Sequence, residues 1–262
     1  MKTAQASKTK GMSTFDLKVL GIVLMVVDHV HQMFVPFGAP GWLDWFGRPV
    51  ATLFFFVSVV GYSYTHSKKT YMWRLYGFMV GMTLLTFAVQ RIVGYDEVQL
   101  INNIFRDLFI GTLFMYGIDC CREGHRDHDF KRTLLGVLFL AIPFVTTVIV
   151  ILVLNVTQQP TLVLVLDALT PAILLAENNL MVLLIPLLYL FNDNRKIQCL
   201  CIALVAAAYA VLGMTQWIMV FAIIPIWFFN GRKGRGMKYF FYIFYPAHIV
   251  VLYLISAFVW MT

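Results

Sequence analysis

Charge is what this sequence has least of: Asp, Glu, Lys and Arg make up 13% of its 262 residues. A soluble domain carries about 25%. With 60% hydrophobic residues and a mean hydropathy of +0.79, that shortage excludes a soluble enzyme and a disordered tail. Cysteine is scarce too. The four thiols, Cys120, Cys121, Cys199 and Cys201, are too few for a disulfide-built secreted scaffold. No second ligand pair stands at zinc spacing from the C-x-C at 199–201, and GHRDHD reads as a solvated loop, so no metal is assigned. No internal repeat and no second domain are visible, and residues 1–262 are taken as one domain.

The charges present are grouped. Of 33, 26 fall in six short clusters at 1–18, 66–74, 91–97, 119–132, 192–196 and 230–238. Apolar runs between short charged loops predict an all-α, polytopic membrane bundle. About nine spans are expected, at 15–37, 48–65, 75–93, 103–119, 133–154, 171–191, 197–213, 215–229 and 239–260. A shorter apolar piece at 161–170, bracketed by Pro160 and Pro171, precedes the sixth. Alternate loops then hold 17 of the 20 Lys and Arg residues, leaving Arg48, Arg91 and Arg106 on the other side. The positive-inside rule puts the N-terminus in the cytoplasm and the C-terminus outside. The net charge of +7 is explained by insertion and calls for no nucleic acid. No cleavable signal is expected, since Phe15–Phe37 is long and lacks a small-residue cleavage pattern. All four thiols lie near cytoplasmic ends, where structural disulfides are not expected.

Seven charged residues lie outside the clusters: Asp28, Asp44, Arg48, Arg106, Asp107, Asp167 and Glu177. An ionisable group inside a span costs about 2.5–3.5 kcal/mol on insertion scales, so each asks for a function or a partner. The first span places Asp28, His29, His31 and Gln32 in an otherwise apolar helix. A histidine beside a carboxylate is the minimal general-base arrangement. The same residues also stand at i,i+3 and i,i+4 spacing and can satisfy one another. Arg48 opens span two, and Asn102, Asn103, Arg106 and Asp107 open span four; Arg106 with Asp107 reads as a headgroup-anchored pair. Glu177, Asn178 and Asn179 fall near mid-membrane if 171–191 is one helix, and must line a cavity or pair with other helices. In the last span Pro246 frees a backbone carbonyl beside Tyr245 and His248. The segment is either a polar pocket or a kink with the histidine bonded to the freed carbonyl.

Four stretches carry a resemblance: LGIVLMVVDHVHQMF, GRPVATLFFFVSVVGYSYTHSKKTYMWRL, NNIFRDLFIGTLFMYG and KYFFYIFYPAHIVVLYLI. They cover roughly a third of the chain, in order, and resemble the TraX family, membrane proteins linked to N-acetylation of conjugative pilin. That family is similar to wider transmembrane acyltransferases, including O-acetyltransferases of bacterial surface polysaccharides and lysosomal heparan-α-glucosaminide N-acetyltransferase. The polysaccharide enzymes share a basic residue, ten residues, then histidine; here Lys18, Val19–Asp28 and His29 fit. Between about 130 and 230 the match is in hydropathy only.

The resemblance implies a multi-pass protein of the bacterial cytoplasmic (inner) membrane, with cytosolic acetyl-CoA or another acyl-CoA as donor and no metal. The acceptor would be extracytoplasmic: a pilin or other peptide amine, or a polysaccharide hydroxyl. His29 would be the base, with Asp28 orienting its ring. Arg48, Asn103 and His248 are oxyanion candidates in that order, Tyr245 a further substrate contact and Glu177 a reserve base. Lys18, Arg74, Arg235 and Lys238 would hold the nucleotide end of the donor. Two other functions fit the same residues: a small proton-coupled transporter or flippase using Asp28, Glu177 and His248, and a non-catalytic partner of a pilus or secretion apparatus.

Overall fold

The first helix begins with a capping box. Ser13 accepts from the Asp16 N–H, and the Asp16 carboxylate accepts from the Ser13 N–H at 2.8 Å. In this computed structural model, residues 11–157, 159–236 and 238–262 are described. The lysines of 1–10 lie outside them, as does the Lys238 side chain. The helices are α1 (Thr14–Phe34), α2 (Arg48–Ser63), α3 (Lys68–Val93), α4 (Ile104–Arg126), α5 (Phe130–Val156), α6 (Pro160–Leu169), α7 (Leu184–Leu190), α8 (Arg195–Val211), α9 (Ile223–Trp227) and α10 (Lys238–Met261), linked by short 3₁₀ segments. Among the described residues there is no strand, only an isolated bridge between Met12 and Phe229.

Five stretches are long and apolar enough to cross a membrane: Thr14–Phe37, Gly41–Ser63, Lys68–Val93, Phe130–Val156 and Tyr239–Met261. The chain is an all-α membrane protein. Helix α4 plays a different part, for 14 of its 23 residues are buried against three of 27 in α5. Helix α2 is as deeply set, with 12 of its 16 residues buried, and the two form the core around which the other helices pack. Glycines bring α5 close: a Cβ at Gly117 would lie 2.9 Å from the Gly136 carbonyl oxygen. Small residues at such a crossing are how membrane helices gain contact without a hydrophobic driving force between them.

The continuous helix expected over 171–191 is absent. Residues 173–175 and 179–183 form 3₁₀ turns, Ala172 and Ala176 are extended, and only Leu184–Leu190 is α-helical. Asp107 accepts the N–H groups of Glu177 and Asn178, at 2.9 and 3.0 Å, which a helix would have spent internally. Irregular backbone is tolerated at membrane depth only where protein satisfies it in this way. The short piece before it is the separate helix α6, as expected. The 215–229 run likewise splits, into a 3₁₀ segment over Thr215–Ala222 followed by α9, where Pro225 lacks the N–H that a regular helix would use.

The charged clusters other than 91–97 gather at one end of the bundle. There Met12 pairs with Phe228 and Asn230, Asn192 donates to Ser63, and Asp119 takes Lys68 together with the Tyr62 and Tyr189 hydroxyls. Arg195 lies 4.3 Å from the Phe56 ring and 5.0 Å from that of Phe229. The opposite end is closed by neutral bonds: Tyr253 to the Tyr95 carbonyl, and Ser256 to the Met33 carbonyl.

Candidate active site

His29 sits on α1, about one and a half turns before its end, and is 3% exposed. Its Nδ1 lies 2.7 Å from Nε2 of His248 on α10, the rings meeting edge to edge with centroids 4.9 Å apart and planes within 14° of each other. His248 Nδ1 lies 2.8 Å from the Phe244 carbonyl oxygen. A carbonyl only accepts, so His248 carries its proton on Nδ1 and, as a neutral ring, has a bare Nε2. That bare nitrogen can only accept from His29, whose own proton is therefore on Nδ1. The lone pair of His29 is left on Nε2, for which no partner exists among the described residues. The accepting carbonyl is not the one Pro246 frees, which belongs to Tyr242, four residues before the proline.

His29 lines a cavity of about 150 Å³ together with Asp28, Arg48, Glu177, Asn178, Gln216 and Tyr245. Six of these seven, all but Gln216, stand out in the sequence in four separate spans, and the fold brings them together. Arg48 is held by Asp44, four residues earlier, and by Gln216, whose amide returns a bond to the Arg48 carbonyl at 3.1 Å. Three of the five guanidinium N–H groups are thereby used and two are left. Tyr245 accepts from the Ile104 N–H at 3.1 Å and donates to Glu177 at 2.8 Å, fixing the irregular loop to α4 and α10.

Asp28 does not orient His29. Its carboxyl lies against Gly47, where an added Cβ would collide with it, and faces Arg48. Neighbours on a helix point about 100° apart, which sends Asp28 to the α2 side and His29 to the α10 side. Gly47 has ordinary right-handed φ and ψ of −72° and −31°, so glycine is needed there for room alone. Gly47→Ala is expected to cost about 1–3 kcal/mol through this overpacking. Adding Asp28→Ala should recover most of it, as two thermal-unfolding midpoints would show.

The same geometry separates Arg106 from Asp107. Arg106 pairs with Asp167 at 2.8 Å, while Asp107, fully buried, also accepts the Asn178 side chain at 2.8 Å. Asn103 stands outside the His29 cavity. Its Nδ2 is committed to the Met79 carbonyl and Thr83, each at 2.9 Å, so it is no oxyanion donor. Of the donor-binding set, Lys18 lies 4.9 Å from the Phe241 ring and Arg74 reaches Tyr242, both in the first turns of α10, and Arg235 is exposed just before that helix. Sequence reasoning missed Gln216, although a glutamine in the apolar run TQWIMVFAIIP was signal enough, and missed Asp44 as the partner of Arg48.

The description "TraX protein" matches residues 13–256, almost the whole chain and every element of this site. The chain belongs to the TraX family. Comparison with curated proteins gives no match, and comparison with solved structures gives none either. The family match spans the two histidines, the irregular 176–178 loop and Gln216 together.

Proposed function

We propose that this protein is a membrane acyltransferase that modifies an extracytoplasmic amine or hydroxyl, with cytosolic acyl-CoA as donor and His29 as general base. Membership of TraX points to a pilin-modifying protein associated with conjugation. The observation that supports the chemical reading is the two-histidine relay, which leaves the lone pair on Nε2 of His29, a residue that lines a polar cavity. In a bacterial inner membrane, the charged end of the bundle faces the cytoplasm by its Lys and Arg content.

Helix α10 supplies the route. Its first turns carry the contacts of Lys18 and Arg74, and His248 stands ten residues from its start, about 15 Å at 1.5 Å per residue. An extended pantetheine arm spans about 15–20 Å by bond lengths. A nucleotide held by Lys18, Arg74, Arg235 and Lys238 would thus place its thioester near His29. Nε2 takes the proton of the acceptor N–H or O–H while that nitrogen or oxygen bonds to the thioester carbon. The oxyanion is met by the spare N–H groups of Arg48. The C–S bond then breaks, its electron pair leaves on sulfur, and His29 returns the proton to the thiolate. Acetyl, a two-carbon acyl group, suits a cavity of about 150 Å³.

The test is acetyl-CoA binding and thioester loss by the purified protein, with peptide amine or sugar hydroxyl supplied as acceptor. Saturable binding with acceptor-dependent release of free thiol is expected; no binding of any acyl-CoA would overturn the reading. In the same assay Arg74→Ala should raise KM for acetyl-CoA about tenfold with kcat nearly unchanged, the signature of a uniform binding contact. A fall in kcat alone would place Arg74 elsewhere in the cycle.

A further inference from the structure

A second cavity, of about 310 Å³, lies toward the end opposite the basic loops, between the last turns of α3, the stretch leading into α4, the end of α5 and α6. It shares a wall with the cavity of His29. Asn102 and Asn103 line the larger space, and Ile104, the next residue, lines the smaller. The Glu177 carboxylate, on the wall of the smaller cavity, interacts with the Asn102 side chain and the Asn103 N–H. One layer of polar residues therefore divides the two. Part of it is a reciprocal amide pair: Gln32 Nε2 donates to Asn102 Oδ1 at 3.1 Å, and Asn102 Nδ2 donates to Gln32 Oε1 at 3.0 Å. Asn102 stands in the irregular stretch 94–103, so no helix ladder holds its half of the pair in place.

Acyl transfer at His29 leaves the body of the acceptor without a place. A space of about 150 Å³ takes an acetyl group and the reacting N–H or O–H, and the basic end of the bundle is assigned to the donor. The larger cavity adjoins it on the acceptor's side of the membrane and has about twice the volume. Seven of its 13 lining residues are Leu, Ile or Val. Its cation and its carboxylate, Arg106 and Asp167, are paired with each other at 2.8 Å. A further charge would enter without compensation, at a cost that apolar atoms do not meet. We propose that this cavity is the acceptor subsite, an assignment that rests on the acyltransferase reading. It takes an uncharged apolar chain, and the Gln32–Asn102 pair parts to pass the attached amine or hydroxyl to His29. The acceptor is thus a nucleophile borne on an apolar chain and not on a sugar.

Transfer from acetyl-CoA by the full-length protein in detergent tests this with two series of acceptors. The amines are methylamine, hexylamine and 6-aminohexanoate, of nearly equal basicity; the alcohols are methanol, 1-hexanol and 6-hydroxyhexanoate. In whichever series reacts, the hexyl compound should show a KM at least about tenfold below the other two, since burial favours its chain and the carboxylate is refused. Val163→Phe, on the wall of the larger cavity alone, should raise that KM about tenfold and leave the methyl acceptor unchanged. Gln32→Ala, which removes half of the amide pair, should raise kcat for the hexyl acceptor about threefold and leave the methyl acceptor unchanged. Thermal unfolding without donor reads binding by itself. The hexyl acceptor should raise the midpoint of the wild type and of His29→Ala, and not that of Val163→Phe. Equal KM values across a series, an undiminished hexyl preference in Val163→Phe, or an equal effect of Gln32→Ala on both acceptors would overturn the proposal. Transfer to the methyl acceptor with no midpoint shift would overturn the subsite and leave the transferase standing. No thioester loss with any acceptor, the midpoint shift intact, would overturn the transferase reading and the acceptor role with it.

Discussion

Replacing His29 with alanine is expected to lower acyl transfer by about 10²–10⁴-fold, the usual worth of a positioned general base. The protein should still insert and unfold near the wild-type midpoint, because His29 bonds only to His248 and bridges no backbone group. The relay makes a finer prediction about its partner. His248→Leu leaves His29 Nδ1 without an acceptor and lets the proton move to Nε2, the wrong tautomer for a base. His248→Gln offers Oε1 at the same end of the side chain and should retain more activity than leucine does. The measurement is single-turnover transfer from acetyl-CoA with all three variants. Wild-type rates in His29→Ala would remove the base from the mechanism, and equal loss in the leucine and glutamine variants would remove the tautomer from it.

Asp107→Ala should be the most damaging substitution for the fold itself. The carboxylate accepts three bonds, two from backbone N–H groups at 177 and 178 and one from the Asn178 side chain. No water reaches it, since Asp107 is fully buried. Each buried N–H left unpaired costs about 1–3 kcal/mol, so two backbone donors alone imply about 2–6 kcal/mol. The 176–178 loop then loses its anchor to α4, and Glu177 and Asn178 leave the cavity wall. Thermal unfolding in detergent should show a marked drop in midpoint, and transfer should fall with it. A midpoint within a degree of wild type would mean that the loop is held by something other than Asp107.

Much of this could be read along the chain. Helices α1, α3 and α5 begin where apolar runs meet Ser13, Ser67 and Asp129, and α3 ends at Gly94, each a residue that caps or ends a helix by its own chemistry. His29, Arg48, Glu177, Tyr245 and His248 were legible as residues whose burial in lipid needs a reason, and they do share one site. The errors came from pairs taken along the chain. Asp28 with His29, and Arg106 with Asp107, are neighbours in sequence and diverge on their helices, while the true partners come from 219, 61 and 71 residues away. The helix expected over 171–191 failed for a related reason: hydropathy cannot reveal that a carboxylate on another helix will compete for its N–H groups.

Composition and the order of charges determined by themselves that this chain is a bundle of membrane helices with its basic loops at one end, because transfer into lipid acts residue by residue. Tertiary structure alone decided which polar groups meet. It set the tautomer of His29 and assigned Asp107 to a broken helix. In lipid an unpaired polar group has no water to fall back on, so its partner is chosen by the packing of whole helices and not by the sequence around it.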